Sequence, residues 1–200
     1  MTHPNLAAKP LSQRGFTLIE LLVTVTVLGV LLGLGVPSFA RLIASNRITT
    51  QTNEFVGGLN LARAEAVRRG HAVAIRSNAG SGINFATGWK VFTDGTTTDG
   101  TPESPATETD GKIIRESGTL AGATSLKRVT RSGSSGAYTY ADSTSADALY
   151  LIFTSRGANN AGAAVFYKVC ETANTSVKGR IVQVSGVGKI SVDSSTESCA

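Results

Sequence analysis

The chain has 200 residues, a length that suits one domain of modest size carrying an appendage. Its formal net charge of +5 is mildly basic, which by itself is weak support for a nucleic-acid partner. With two histidines and two cysteines, the sequence lacks the Cys/His spacing of a metal site, and we expect neither a metal nor a cofactor. Hydrophobic residues make up 41% of the chain but are concentrated near its amino end.

The first 15 residues are polar and include Lys9 and Arg14, and an apolar run follows at residues 16–36. A secretory signal has the opposite order, with its apolar stretch ahead of the cleavage site. The apolar run is long enough to cross a hydrocarbon core of roughly 30 Å as a helix. Because the next basic residue is Arg41, the positive-inside rule places the first 15 residues in the cytoplasm and the rest outside.

The residues at this boundary resemble the prepilin peptidase motif of type IV pilins and type II secretion pseudopilins. The matching positions are Gly15, Phe16 and Glu20, in the sequence GFTLIE. The resemblance implies cleavage by prepilin peptidase after Gly15, N-methylation of Phe16, and a role for Glu20 in assembly. A carboxylate inside a membrane helix costs on the order of 2.5–3.5 kcal/mol, so we expect it to have a partner. The resemblance gives that partner as the free amine of Phe16, on the same or a neighbouring subunit; the alternative is that Glu20 reaches the membrane interface.

The helical pattern continues beyond Pro37, which we expect to kink the helix. Apolar residues then recur at steps of three and four, and cations followed by Gly70 mark the helix end. One long helix is therefore predicted from about Thr17 to about Arg69. Three glycines in the apolar run would allow neighbouring helices to approach closely, namely Gly29, Gly33 and Gly35.

The end of this helix and the region beyond it are similar to the GspH/FimT group of minor pilins and pseudopilins. The similar segments read ARAEAVRRG, GWKVFTD, IFT with a following RG, YKVC, and GRIVQVS with a following GK. The resemblance implies a pilin-like α+β fold, with a long N-terminal helix (transmembrane, then amphipathic) packed on antiparallel β-sheets. The expected parts are a prepilin leader (1–15), a transmembrane segment (16–36), an amphipathic segment (37–70) and a β-rich head (71–200).

The head shows short strand-like segments separated by turns, without the spacing of parallel βαβ units. The predicted strands are 71–77, 89–93, 112–116, 126–130, 149–154, 164–170, 180–185 and 189–192. Residues 94–111 contain five acids and almost no apolar residue, which predicts an exposed loop. Calcium binding is the alternative, but the acids lack the spacing of a calcium-binding loop.

Cys170 and Cys199 lie in the last third of the chain. A chain exported to an oxidising compartment is expected to pair them, and the alternative is two free thiols in a cytosolic protein. A disulfide here would close a loop of about 30 residues, worth roughly 3–4 kcal/mol in chain entropy.

The sequence gives little support for catalysis. His71 is the one histidine that remains after the leader, and we expect it at an exposed helix-to-strand junction rather than in a catalytic triad. No glycine-rich phosphate loop lies between a strand and a helix, and the turn at Gly188 fits a hairpin better. The single tryptophan, Trp89, is expected to pack beneath a sheet. We therefore predict that the protein is not an enzyme.

Removing Lys9 and Arg14 with the leader leaves 17 basic against 14 acidic residues. In FimT-like minor pilins a C-terminal Gly-Arg-x-Arg segment is implicated in binding DNA during uptake. Here the corresponding sequence is GKIS, which keeps one cation at Lys189 and has none at the second position. The candidate DNA-binding residues are Lys178, Arg180 and Lys189, and the alternative is an ordinary solvated basic face.

Together these features predict a minor type IV pilin that spans the inner membrane once, with its head in the periplasm. It would join other pilin subunits and initiate or cap a pilus filament, with a contribution to DNA uptake as a further hypothesis. The alternatives are a GspH-like pseudopilin of a type II secretion system, a DNA receptor at a pilus tip, and a membrane-anchored enzyme.

Overall fold

The computed structural model describes residues 15–79, 84–94, 112–133, 139–143, 146–173, 177–193 and 199. These residues form one long α-helix, one short 3-10 helix (Ala146–Leu149) and nine β-strands. The chain divides into two compact units, the first ending at Ala40 and the second beginning at Arg41.

Helix α1 extends from Leu18 to Arg69 and passes through both units. In the first unit every described residue is exposed except Gly35, which is half-buried. Among the described residues, α1 is the one helix with the length and apolar composition needed to cross a membrane. The first unit therefore presents apolar side chains around the whole circumference of its helix.

In the second unit one face of α1 is buried. The buried residues follow one another at steps of one, three or four, which places them in a single stripe along the helix; they are Ala44, Ile48, Gln51, Thr52, Phe55, Gly58, Leu59, Ala62 and Ala66. Arg68 and Arg69 stand in the last turn, where cations are favourable beside the carbonyl end of a helix. Gly70 ends the helix with a φ of +68°, a conformation that glycine adopts without strain.

The strands of the second unit form two antiparallel sheets. In chain order the strands are β1 (Val73–Ser77), β2 (Trp89–Thr93), β3 (Ile113–Ser117), β4 (Thr124–Ser132), β5 (Thr139–Asp142), β6 (Tyr150–Phe153), β7 (Val165–Glu171), β8 (Arg180–Val184) and β9 (Ile190–Asp193). Four of them make a first sheet in the order β3-β2-β1-β6, and the other five make a second sheet in the order β5-β4-β7-β8-β9.

Both sheets bury one face against the stripe of α1, and the three elements share one hydrophobic core. At its centre Phe55 of α1 contacts the rings of Phe85, Trp89 and Tyr167 edge to face, with ring centroids 5.6, 6.1 and 5.0 Å away. Such aromatic pairs each add about 0.5–1.5 kcal/mol beyond the area that they bury. Trp89 is fully buried in this core, as the sequence predicts.

Two arginines of α1 tie the helix to the ends of the strands. Arg47 Nη1 lies 3.1 Å from Oε2 of Glu171, whose side chain is 1% exposed. Arg63 donates from Nε to the carbonyl oxygen of Gly157 at 3.0 Å and from Nη2 to that of Val187 at 3.3 Å. Because a buried charge that loses its partner typically costs 3–5 kcal/mol, the pair at Glu171 fixes how the second sheet meets the helix.

The predicted α+β fold, with a long helix against antiparallel sheets, is confirmed. Eight predicted strand segments correspond to strands whose ends differ from the prediction by at most two residues. Strand β5 is the exception and was not predicted, because its short sequence TYAD has no apolar alternation; pairing with β4 defines it. The predicted acidic loop at 94–111 lies outside the described residues except for Asp94, which is buried.

Two adjacent glycines of α1 provide a test of this packing. A Cβ atom at Gly58 would overlap the edge of the Trp89 indole ring, whereas at Gly57 the nearest atom, Arg115 Nη1, is 3.9 Å away. We expect Gly58→Ala to lower the free energy of unfolding by about 1–2 kcal/mol, since overpacking outweighs the gain in helix propensity. The matched control Gly57→Ala should leave it unchanged or raise it by up to about 1 kcal/mol.

Denaturant unfolding of the detergent-solubilised chain, followed by the fluorescence of its single tryptophan, measures both variants. Equal stability of the two alanine variants would contradict the packing of Trp89 against the helix at Gly58.

Candidate assembly segment and basic surfaces

Helix α1 begins with its own capping chemistry at the motif GFTLIE. Thr17 directly precedes the helix, and its Oγ1 accepts a hydrogen bond from the backbone N–H of Glu20 at 3.3 Å. Threonine followed three residues later by glutamate is the capping-box pattern, in which the carboxylate also lies near the positive end of the helix dipole. The sequence prediction did not use this pattern, although Thr17 and Glu20 are visible in the motif.

Glu20 is the one charged residue among residues 15–40, in a segment of the helix that is mostly apolar. Glu20 and Phe16 are both exposed, and the Phe16 side chain is 80% exposed. If this turn of the helix lies in water, capping is a sufficient reason for the carboxylate, because a solvated charge there has little free-energy cost. In hydrocarbon the same group needs a positive partner, so the assembly role of Glu20 stays a prediction.

Two threonine hydroxyls within the apolar run are hydrogen-bonded inside the helix. Thr24 Oγ1 donates to the carbonyl oxygen of Leu21 at 2.9 Å, and Thr26 Oγ1 to that of Val23 at 2.8 Å. A helix in lipid must satisfy its polar groups in this internal way. The three glycines of the run have no atom within 4 Å of a built Cβ, so their surfaces are open: Gly29, Gly33 and Gly35.

Pro37 lies inside α1 and is exposed. Proline lacks the N–H that would bond to the carbonyl four residues earlier, which here is the carbonyl of Gly33. The helix continues through this position, and the predicted kink stays a prediction.

The structure contains a disulfide between Cys170, on β7, and Cys199, with Cα atoms 5.5 Å apart. Both sulfurs lie over Gly179, where a Cβ would be 2.7 Å from Cys170 Sγ and 2.9 Å from Cys199 Sγ. Gly179 directly precedes β8, so the absence of a side chain there lets the disulfide lie against the start of this strand.

The three candidate DNA-binding cations do not form one cluster. Arg180 begins β8, and its Nη2 donates to Thr49 Oγ1 of α1 at 3.0 Å. Lys178 is exposed and lies beside it, two residues earlier in the chain. These two cations adjoin the part of α1 that is nearest to its apolar run in sequence.

Lys189 lies at the other end of the sheet, in the turn between β8 and β9. The neighbouring Gly188 packs against Gly157 and Arg63, near the carboxyl end of α1. Thr49 and Arg63 are 14 residues apart on the helix, a rise of roughly 21 Å. The structure thus brings Lys178 and Arg180 together and places Lys189 on a separate surface, so a common DNA-binding site at all three would have to span this distance.

The perturbed titratable groups have structural explanations. Hydrogen bonds from Arg68 and Arg69 lower the pKa of Glu65 to about 2, at the last turn of α1. Burial raises the pKa of Tyr167 in the core. His71 is exposed at the junction between α1 and β1, as predicted. Among the described residues no group of three His, Cys, Asp or Glu side chains could hold a metal ion.

The methylation-type motif, the apolar helix and the antiparallel head together define a pilin-like protein. The prokaryotic N-terminal methylation motif matches residues 11–36. The family model described as type II transport protein GspH matches residues 51–188, and the chain belongs to this family. It is therefore a minor pilin or pseudopilin, of a type IV pilus or of a type II secretion system, and its family consists of structural proteins rather than enzymes.

Individual relatives agree with this family. Two proteins named "Fimbrial protein" from Pseudomonas aeruginosa are 31% and 30% identical to the chain over 101 residues, which is 50% of the chain and 62% of each relative. The alignment thus spans less than two thirds of the length of these relatives. Crystal structures of the type IV minor pilin FimU from Pseudomonas aeruginosa share the fold, with TM-scores of 0.54 and 0.51 at 19% and 18% identity. They cover 78% and 76% of this chain, and 96% and 99% of the FimU chains.

The position of Gly179 beneath the disulfide gives a test of this end of the head. We expect Gly179→Ala to hinder disulfide formation and to lower the free energy of unfolding by about 1–3 kcal/mol, because its Cβ would overlap both sulfurs. The matched control is Gly118→Ala, where a Cβ meets no atom within 4 Å. Alkylation of free thiols followed by mass spectrometry measures the oxidised fraction. Full oxidation and unchanged stability of Gly179→Ala would contradict the contact.

Proposed function

We propose that this protein is a minor pilin of a type IV pilus, processed between Gly15 and Phe16. The leader (1–15) is removed in the cytoplasm, and the transmembrane segment (16–36) holds the chain in the inner membrane. The amphipathic segment (37–70) continues into a head (71–200) in the periplasm. The mature subunit then joins other pilins through its helix and initiates or caps the filament.

One observation supports this proposal above the others. The described part of the first unit is an apolar helix exposed on all sides except at Gly35, and the methylation motif at residues 11–36 covers most of it. Large apolar surfaces of this kind are not stable in water and require lipid or other chains to cover them. In a processed pilin, lipid covers this surface while the subunit is in the bilayer, and the helices of other subunits cover it after assembly.

The choice of the type IV pilus rests on the relatives. The proteins at about 30% identity are named fimbrial proteins, which favours a pilus. The family model carries the name of a type II transport protein, which keeps the pseudopilin of a secretion system as the second candidate. Deleting the gene and measuring both surface piliation and secretion of extracellular enzymes separates them: we expect loss of pili with normal secretion.

Processing at Gly15 is the first prediction of the proposal. Gly15→Ala should leave uncleaved precursor in the membrane, because the peptidase recognises the glycine before the cut. Gly29→Ala is the matched control, since it changes another open glycine of the same segment and should be processed normally. Mass spectrometry of the amino terminus should find N-methylphenylalanine at residue 16 in the wild type. An intact Met1 in assembled filaments would refute the proposal.

The role of Glu20 is the second prediction. If Glu20 pairs with the amine of Phe16 on a neighbouring subunit, Glu20→Gln should reduce incorporation into filaments by at least about tenfold, because a charge pair in hydrocarbon is lost. The control Thr17→Val removes the helix cap but keeps the carboxylate, and it should be incorporated normally.

Quantifying the subunit in sheared filaments and in membranes measures this ratio. Poor incorporation of Thr17→Val together with normal incorporation of Glu20→Gln would assign Glu20 to helix capping instead.

A further inference from the structure

A small crevice with a basic rim lies between α1 and the start of β8. It has a volume of about 160 Å³ and is lined by Ser45, Ile48, Val177, Lys178, Gly179 and Arg180. We call these six residues the basic crevice. By the roughly 30 Å³ that one water molecule takes up in the liquid, the space admits several waters or one phosphate group.

The cation at the back of the crevice is held in place. Thr49 Oγ1 donates to the carbonyl oxygen of Ser45 at 2.9 Å, so its lone pair is directed to Arg180, whose Nη2 donates to it at 3.0 Å. One of the five N–H groups of the guanidinium is used in this bond. The anchored guanidinium is suited to the planar, bidentate contact that arginine makes with phosphate oxygens.

The described residues that line the crevice include two cations and no acid. Lys178 is exposed on its rim, and Arg41 lies one helical turn before Ser45 on the same side of α1. Two described acids lie at this end of the sheet. Glu171 is paired with Arg47, and Asp193 is opposite Ile181, on the face of the sheet that points away from α1. Neither of these two residues lines the crevice.

The crevice lies close to the membrane-spanning segment along the chain. Arg41 follows Val36, the end of the apolar run, by five residues, and Ser45 follows it by nine. Anionic membrane surfaces attract basic residues that lie just outside a membrane span, within about one Debye length, near 8 Å. If residues 16–36 span the membrane, this closeness in sequence favours a lipid phosphate over a soluble polyanion as the occupant of the crevice.

We propose that the basic crevice binds the phosphate of an anionic phospholipid headgroup and holds the head at the membrane surface until the subunit enters a filament. The inference rests on the proposed anchoring of residues 16–36 in the membrane. It uses Lys178 and Arg180, two of the three cations first considered for DNA. Lys189, on the separate surface at the other end of β8, takes no part in it.

The test uses the full processed chain in a neutral detergent, titrated with phosphatidylglycerol or phosphatidylcholine and read by native mass spectrometry. We expect one phosphatidylglycerol to bind at least fivefold more tightly than phosphatidylcholine, with a preference that weakens as salt is added. The double variant Lys178→Gln/Arg180→Gln should lose the preference. The control Lys90→Gln/Lys112→Gln removes the same charge from β2 and from the residue before β3, and it should keep the preference for phosphatidylglycerol.

A second variant guards against a loss of folding in the double variant. Thr49→Val keeps every charge but removes the anchor of Arg180, and it should weaken the preference partially, while an unchanged Cys170–Cys199 disulfide shows that the head is folded. The proposal is overturned if the double variant binds phosphatidylglycerol as the wild type does. It is also overturned if inorganic phosphate at millimolar concentration displaces the lipid, which would indicate a site for a soluble anion.

The last part of the test measures binding of duplex DNA by the double variant and by Lys189→Gln. Binding of DNA that is lost in the double variant but kept in Lys189→Gln would assign the crevice to nucleic acid and overturn the lipid proposal. A separate experiment tests the membrane anchoring: it measures insertion of the chain into nanodiscs by resistance to alkaline extraction. A chain that fails to insert refutes the membrane anchoring, whereas the comparison of variants in detergent decides the crevice itself.

Discussion

The packing of two sheets on one helical stripe is the constraint on which the second unit depends. The stripe is narrow and includes Gly58, and the indole of Trp89 occupies the space above that glycine. Phe55, one turn earlier, contacts an aromatic ring from each sheet, Trp89 from the first and Tyr167 from the second. Neither sheet has another described helix of comparable length to cover its inner face. The helix is therefore the shared wall of the core, and the sheets are positioned by it.

Polar contacts then fix the strand ends that the core alone would leave free. Arg47 meets Glu171 at the end of β7, and Arg63 holds the carbonyls of Gly157 and Val187 in two different loops. Asn159 adds to this region, since its Nδ2 donates to the carbonyl oxygens of Ala163 and Ser185. The start of β8 is bound to α1 through Arg180 and Thr49, and the loop after β8 is bound to it through Val187 and Arg63. The two ends of β8 therefore meet different turns of α1.

The sequence was sufficient for features that depend on short-range pattern. The helix bounds followed from the apolar period and from Gly70, and the strand positions followed from β-branched and aromatic runs such as WKVFT. It was insufficient for β5, whose residues pair with β4 without a pattern of their own. It also failed to separate Lys189 from Arg180, because the two residues are close in sequence but the extended strand β8 lies between them: Arg180 begins it, and Lys189 follows its other end, in the turn to β9. The partners of Arg47 and Thr49 lie more than 120 residues away, and no local signal identifies them.

The disulfide has a consequence for how the head would respond to mechanical load. Cys170 and Cys199 are 29 residues apart, and the closed loop between them contains all of β8 and β9. A tensile force transmitted through the chain passes across the sulfur bridge and bypasses both strands. Unfolding of these two strands cannot lengthen the molecule while the disulfide is intact. At roughly 3.3–3.6 Å per extended residue, the closed loop keeps about 100 Å of chain from being extended. The strands behind the bridge would thus remain shielded from tension, together with the start of β8 and its cations, even if the hydrogen bonds elsewhere in the head were pulled apart.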